Sequence, residues 1–250
     1  SRCAHLVWER FGNVPNYVEP FFGSGAVLLG RPHQPHTETI NDLDCYVANF
    51  WRAVQHAPEE VARWADAPIN EADLHARHRW LVARTEWRAR MMNGAEPEYF
   101  DAKIAGWWVW GLCMWIGSGW CSQGVRELGE IPPAGKMPDL KGFRGVHVKR
   151  PTLKRGGSGA HRTTSQKMPS CSTGGCGVHA GNRSDLAAYL QWLSARLRRV
   201  RVCCGDWQRV LGPSPTFKSG LTGVFLDPPY SAEAGRYPRI YAEDSADVAQ

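Results

Sequence analysis

The first fifty residues carry the pattern that most restricts the fold. Asn16-Tyr17-Val18-Glu19 is a short run that stops at Pro20 and the turn Phe21-Phe22-Gly23-Ser24-Gly25, so it reads as a buried strand entering a tight loop. Ala26–Leu29 starts a helix that Gly30 and Pro32 end early. Thr37–Asn41 reads as a second strand with Asp42 at its end. From Leu43 to about Gln55, the residues Tyr46, Val47, Phe50, Trp51 and Val54 recur at helical spacing. Strand, helix, strand, helix in this order is the opening of a doubly wound parallel sheet.

The later chain divides into three stretches. Pro58 to about Gly117 reads as helical and is rich in tryptophan: Trp64, Trp80, Trp87, Trp107, Trp108, Trp110, Trp115 and Trp120 fall in it or just beyond. Most of these are expected in the core of a helical subdomain, and a minority as stacking or wedging groups. Residues 117–181 are dense in Gly, Ser, Pro and basic residues without lasting periodicity, and read as long loops with short strands. Order returns at Ser184, expected to cap a helix in which Leu186, Leu190, Leu193 and Leu197 share a face and Arg196, Arg198 and Arg199 load the last turn. Val200–Cys204 and Gly223–Leu226 read as a third and a fourth strand.

Charge is concentrated rather than spread. The 250-residue chain has a formal charge of +6, yet from Leu140 to Ser184 there is no acidic residue and nine basic ones. The remainder holds 21 basic against 24 acidic residues, so that one segment supplies the whole positive excess. Such a segment suits contact with phosphates, through Lys141, Arg144, Lys149, Arg150, Lys154, Arg155 and Arg162. A solvated basic loop is the plainer alternative. No signal-peptide pattern opens the sequence, which makes the cytoplasm the expected location. Adjacent Cys203-Cys204 in a strand-like run suit reduced thiols.

Four strand ends carry the chemistry, because the carboxyl ends of an open parallel sheet line its ligand crevice. The turn after the first strand has glycines that let backbone approach a ligand, and the helix beyond it offers N–H groups. Asp42 is placed to accept from ribose hydroxyls or to cap the next helix; Asp44 reads as a first-turn acid. Asp206, with Trp207 beside it, follows the third strand and can accept from an adenine amine. Asp227-Pro228-Pro229-Tyr230 follows the fourth. Its two prolines stiffen the loop and hold acid and aromatic in fixed relation. An exocyclic amine is a poor nucleophile because its lone pair is delocalised. A carboxylate and a main-chain carbonyl that both accept from it orient the nitrogen, and the tyrosine can stack on the base.

The ordered set Glu-Pro-Phe-Phe-Gly-Ser-Gly, Asn-Asp-Leu-Asp, Gly-Asp-Trp and Asp-Pro-Pro-Tyr resembles the motifs of the alpha-group (Dam-type) DNA adenine N6-methyltransferases. The resemblance is strong over residues 16–54 and 184–231. It implies an α/β, Rossmann-like sheet that binds S-adenosylmethionine, formed by residues 1–56 and 184–250. Residues 57–183 would be an inserted helical subdomain and basic target-recognition region. Glu19, Pro20, Phe21, Gly23 and Gly25 would border the methionine part of the cofactor, Asp42 its ribose, and Asp206 and Trp207 its adenine. Asp227, Pro228, Pro229 and Tyr230 would hold the target amine of a base flipped out of double-stranded DNA.

The family has a Gly-Gly-Lys-type element before its first helix, about where Ser1 stands, and further strands after the last motif. Only twenty residues follow Tyr230, without a convincing strand. The sheet is therefore expected to be incomplete at both ends, with its fourth strand at an edge. Cytosine N4, RNA adenine and a non-catalytic nucleic-acid-binding remnant stay open as alternatives. Cys171, Cys176, His161 and His179, like Cys113 and Cys121, lack the spacing of a zinc site, and no metal is expected.

Overall fold

A computed structural model describes residues 3–94, 96, 98–115, 120–121 and 183–228. Four strands, β1 (Asn16–Glu19), β2 (Thr37–Asp42), β3 (Val200–Cys204) and β4 (Thr222–Val224), form one sheet in the order β3-β2-β1-β4, and every pairing is parallel. The expected architecture is thus present, with β1 in the interior. The fourth strand begins and ends earlier than its apolar run suggested, although Phe225 N still donates to Val18 O (3.0 Å) and carries the pairing one residue further. β3 and β4 are the edges of the sheet among the described residues.

Helices α1 (Ala4–Phe11), α2 (Ala26–Leu29), α3 (Cys45–His56) and α8 (Arg183–Leu197) accompany the sheet, and α4 (Pro58–Ala65), α5 (Glu71–Val82), α6 (Thr85–Asn93) and α7 (Ala102–Met114) fill the tryptophan-rich stretch. Residues paired across parallel strands share a face. Tyr17 and Glu38 therefore face one way together, and Val18 and Thr39 the other. On the first face Trp8 of α1 packs on Tyr17, ring centroids 4.9 Å apart. There Glu38, buried, pairs with Arg31 (3.2 Å) and Arg196 (2.7 Å). Arg31 and Arg196 also donate to Val14 O and Leu28 O, which ties this buried ion triad to the backbone, while Arg31 Nε has no hydrogen-bond partner among the described residues. Losing one partner of such a group strands a charge away from water. On the opposite face, Asn16 donates to Pro215 O (2.7 Å) in the connection between β3 and β4.

Two cap assignments change. Asp44, not Asp42, caps α3: its side chain accepts from Tyr46 N at 2.8 Å. Ser184 lies inside α8, which starts at Arg183, and the helix ends at Leu197, so only Arg196 belongs to its last turn. The leucine face holds, with Leu186, Leu190, Leu193 and Leu197 all buried.

The tryptophans are mainly structural. Trp87, Trp108, Trp110 and Trp120 are buried, and Trp64, Trp80, Trp107 and Trp115 pack against the same core while half-buried. Lys103 Nζ sits 4.4 Å from the Trp107 ring and 5.0 Å from both Trp64 and Trp80, and Arg77 lies 4.2 Å over Trp110. Cations laid on indole faces keep the partly exposed rings seated. No helix among the described residues is long and apolar enough to cross a membrane.

Candidate active site

The ends of all four strands, with Asp227 and Pro228 after the fourth, lie along one rim of the sheet because the strands are parallel. After β1 the chain turns through Gly23 (φ +49°) and Gly25 (φ +66°), left-handed conformations that suit glycine. A Cβ on Gly25 would lie 2.6 Å from the Phe22 ring, so that position requires glycine twice over. At Gly23 a Cβ would meet nothing within 4 Å: the turn presents open, exposed backbone there. Trp51 Nε1 donates to Gly23 O (3.0 Å) and fixes the turn from below.

Asp42 ties this turn to the end of β2. Its Oδ2 accepts from Gly23 N (2.9 Å) and its Oδ1 from Asp44 N (2.9 Å). Burial, reinforced by the Asp44 charge, pushes its pKa up to about 7 against the pull of the Gly23, Asp44 and Leu43 N–H groups. The four lone-pair sites of the carboxylate leave room for a further donor. Asn41, missed in the sequence reading, is the second tie. Its Nδ2 donates to Pro20 O (3.1 Å) and Gly205 O (2.8 Å), joining the tips of β1 and β3. The signal was a buried amide directly before the strand-ending acid, which periodicity alone does not mark as special.

Beyond β3, Asp206 starts the 3-10 turn Trp207–Val210 and accepts from Gln208 N (2.8 Å), leaving its other oxygen uncommitted to backbone. Trp207 leans on Phe21, centroids 6.3 Å apart and planes inclined by 37°. Both rings are half-buried, one supplied from the tip of β1 and one from beyond β3.

Glu19 lies under the turn rather than on its surface: it is 3% exposed and accepts from Tyr17 Oη at 2.8 Å. Burial pushes its pKa up to about 8 despite the Tyr17 hydroxyl and a Leu28 backbone hydrogen bond, and the charges of Asp227 and Asp42 add to the rise. Asp227 follows β4. The bond from Phe225 N to Val18 O sets it beside the start of the glycine turn, and partial burial raises its pKa. Pro228 is half-buried. Pro229 and Tyr230 lie outside the described residues. So do the basic residues Lys141, Arg144, Lys149, Arg150, Lys154, Arg155 and Arg162, and the cluster Cys171, Cys176, His161 and His179. Cys203 and Cys204 form no disulfide among the described residues, in keeping with the reduced thiols that the adjacent pair suggested.

A parallel sheet with a glycine turn after its first strand, an acid at the second tip and an Asp-Pro pair after the edge strand is consistent with a Rossmann-like methyltransferase fold. Residues 5–98 match the family model of D12 class N6 adenine-specific DNA methyltransferase, in agreement with the resemblance of the motifs to the Dam-type enzymes. This match spans α1 through α6, including the glycine turn and Asp42. No curated protein matches the chain.

Proposed function

We propose that this chain transfers a methyl group from S-adenosylmethionine to N6 of an adenine turned out of double-stranded DNA. The observation that carries the reading is the meeting of four separated motifs at one rim. Gly23 N is bonded to Asp42, Phe21 touches Trp207, and Asp227 stands beside Glu19 at the neighbouring strand tip.

The residues present fit the cofactor. The open backbone at Gly23 admits close approach of a methionine chain, since a Cβ there would meet nothing. Asp42 would accept from the ribose hydroxyls with its remaining lone pairs. Asp206 would take the adenine amine on its uncommitted oxygen, with Trp207 and Phe21 against the ring. When bound, S-adenosylmethionine supplies an electrophilic methyl group on a sulfonium.

The chain's own work is orientation and proton handling. Asp227 would accept a hydrogen bond from the target amine and hold its nitrogen in line with the methyl carbon. As the nitrogen gains the methyl group it must lose a proton, and a carboxylate of raised proton affinity is suited to receive it. Pro228 and Pro229 would keep that carboxylate from swinging away, and Tyr230 would stack on the base. Residues 57–183 would form the inserted unit that selects the target, with the basic segment on DNA phosphates.

Incubating the chain with random-sequence duplex and methyl-labelled donor, then mapping the label, tests this. Label on adenine N6 is expected. Label on cytosine N4, label only on RNA, or no transfer by protein that binds DNA would overturn it.

A further inference from the structure

The outer edge of the sheet carries a second concentration of positive charge, distinct from the acid-free segment. Arg198 and Arg199 link α8 to β3, Arg201 lies on β3, and Arg209 stands in the 3-10 turn after it; all four are exposed. Arg52 of α3 is half-buried, and its Nε has no hydrogen-bond partner among the described residues. Arg52, Arg201 and Arg209 flank the Cys203 sulfur and act on it electrostatically.

Several arginines elsewhere are matched with acids, and Arg84 and Arg88 instead lie over the rings of Trp80 and Tyr46. Arg31 and Arg196 share Glu38, Arg63 meets Glu60, Arg77 meets Asp73 and Arg90 meets Glu96. Along the β3 edge no carboxylate of the described residues pairs with Arg198, Arg199, Arg201 or Arg209. The one acid of this stretch, Asp206, accepts from Gln208 N instead. Among the described residues, the Arg209 guanidinium donates only to the Cys204 carbonyl, at 2.7 Å. A row of like charges without counter-charge is self-repelling and attracts a polyanion, and guanidinium groups suit phosphate best.

The row also has a direction. β3 runs parallel to its neighbours toward the crevice, so the arginines extend from the foot of the edge strand, at Arg198 and Arg199, to the rim at Asp206 and Trp207. We propose that Arg198, Arg199, Arg201 and Arg209 form a second phosphate-contacting surface, which holds duplex DNA to the side of the target base. The proposal rests on the DNA-methyltransferase reading above.

The test compares the full chain with its Arg199→Glu/Arg201→Glu variant on duplexes of about 12 and about 60 base pairs, following both DNA binding by anisotropy and methyl transfer. For the long duplex, Kd and KM are expected to rise about tenfold in the variant, and the slope of log affinity against log salt to fall by about two. For the short duplex both should stay within about twofold. Equal behaviour of variant and parent on the long duplex would overturn the surface. So would an equal loss on both lengths that the neutral Arg199→Gln/Arg201→Gln variant repeats, since that marks a folding role. A parent that binds DNA but methylates none would sink the enzymatic reading, while the length dependence of binding would still decide the surface.

Discussion

The helices α4–α7 and the rim of the sheet use aromatic residues in opposite ways. Among those helices the indoles are packed away: Trp110 is fully buried, its Nε1 donates to Ala67 O at 3.0 Å, and Arg77 covers its face. At the rim, Phe21 and Trp207 are half-buried, sit on loops from two different strands, and touch only by a tilted contact. The first arrangement stabilises the packed core. The second leaves ring faces within reach of a flat ligand, on loops whose backbones Asp42 and Asn41 hold in place. What separates packed from presented aromatics is therefore the support under them, not the residue type.

This contrast can be broken by substitution. Asp227→Ala should lower methyl transfer by about a thousandfold while thermal stability moves by no more than a surface substitution, about 0.5 kcal/mol. A variant that keeps parental kcat on mapped DNA would remove the acid from the chemistry. Trp110→Ala should cost about 3–5 kcal/mol, read as a fall in Tm of about 10 °C, with the donor's KM unchanged where the protein is still folded. A selective loss of donor affinity there would blur the division between the two regions. Trp207→Ala should do the reverse, raising the donor's KM about tenfold with little change in Tm.

The smallest effect concerns pH. Glu19 holds its proton more tightly folded than unfolded, so its contribution favours the folded chain at low pH. That contribution fades as pH rises from the ordinary carboxylate value of 4.5 to about 8. Asp42 acts in the same sense up to about 7. The ligand-free protein should accordingly lose stability between those limits, and Glu19→Gln should flatten the upper part of the curve in calorimetric scans at stepped pH. An unchanged curve would place Glu19 in contact with water.

The strands were legible because their ends are marked chemically. Pro20, Asp42, Gly205 and the Asp227-Pro228 pair each stop a run, and β1, α2 and β3 match the expected limits residue for residue. The caps were less legible. Asp42 and Asp44 are two residues apart beside the same helix start, and only the three-dimensional path shows that the first reaches back to Gly23 while the second takes Tyr46 N. Glu19 reads like a crevice acid from its neighbours in sequence. The strand's alternation instead turns it with Tyr17 toward the side covered by α1.

By itself, then, the sequence determined the order of strands and helices, the four polar tips and the class of chemistry they suit, since local stop signals and residue spacing encode these directly. Tertiary structure alone decided which donors each acid meets. It joined Asn41 to two loops, paired Arg196 with Glu38 158 positions away, and left the arginines of the β3 edge without acid partners among the described residues. Partners distant along the chain are set by packing and strand register, for which no short stretch of sequence carries a sign.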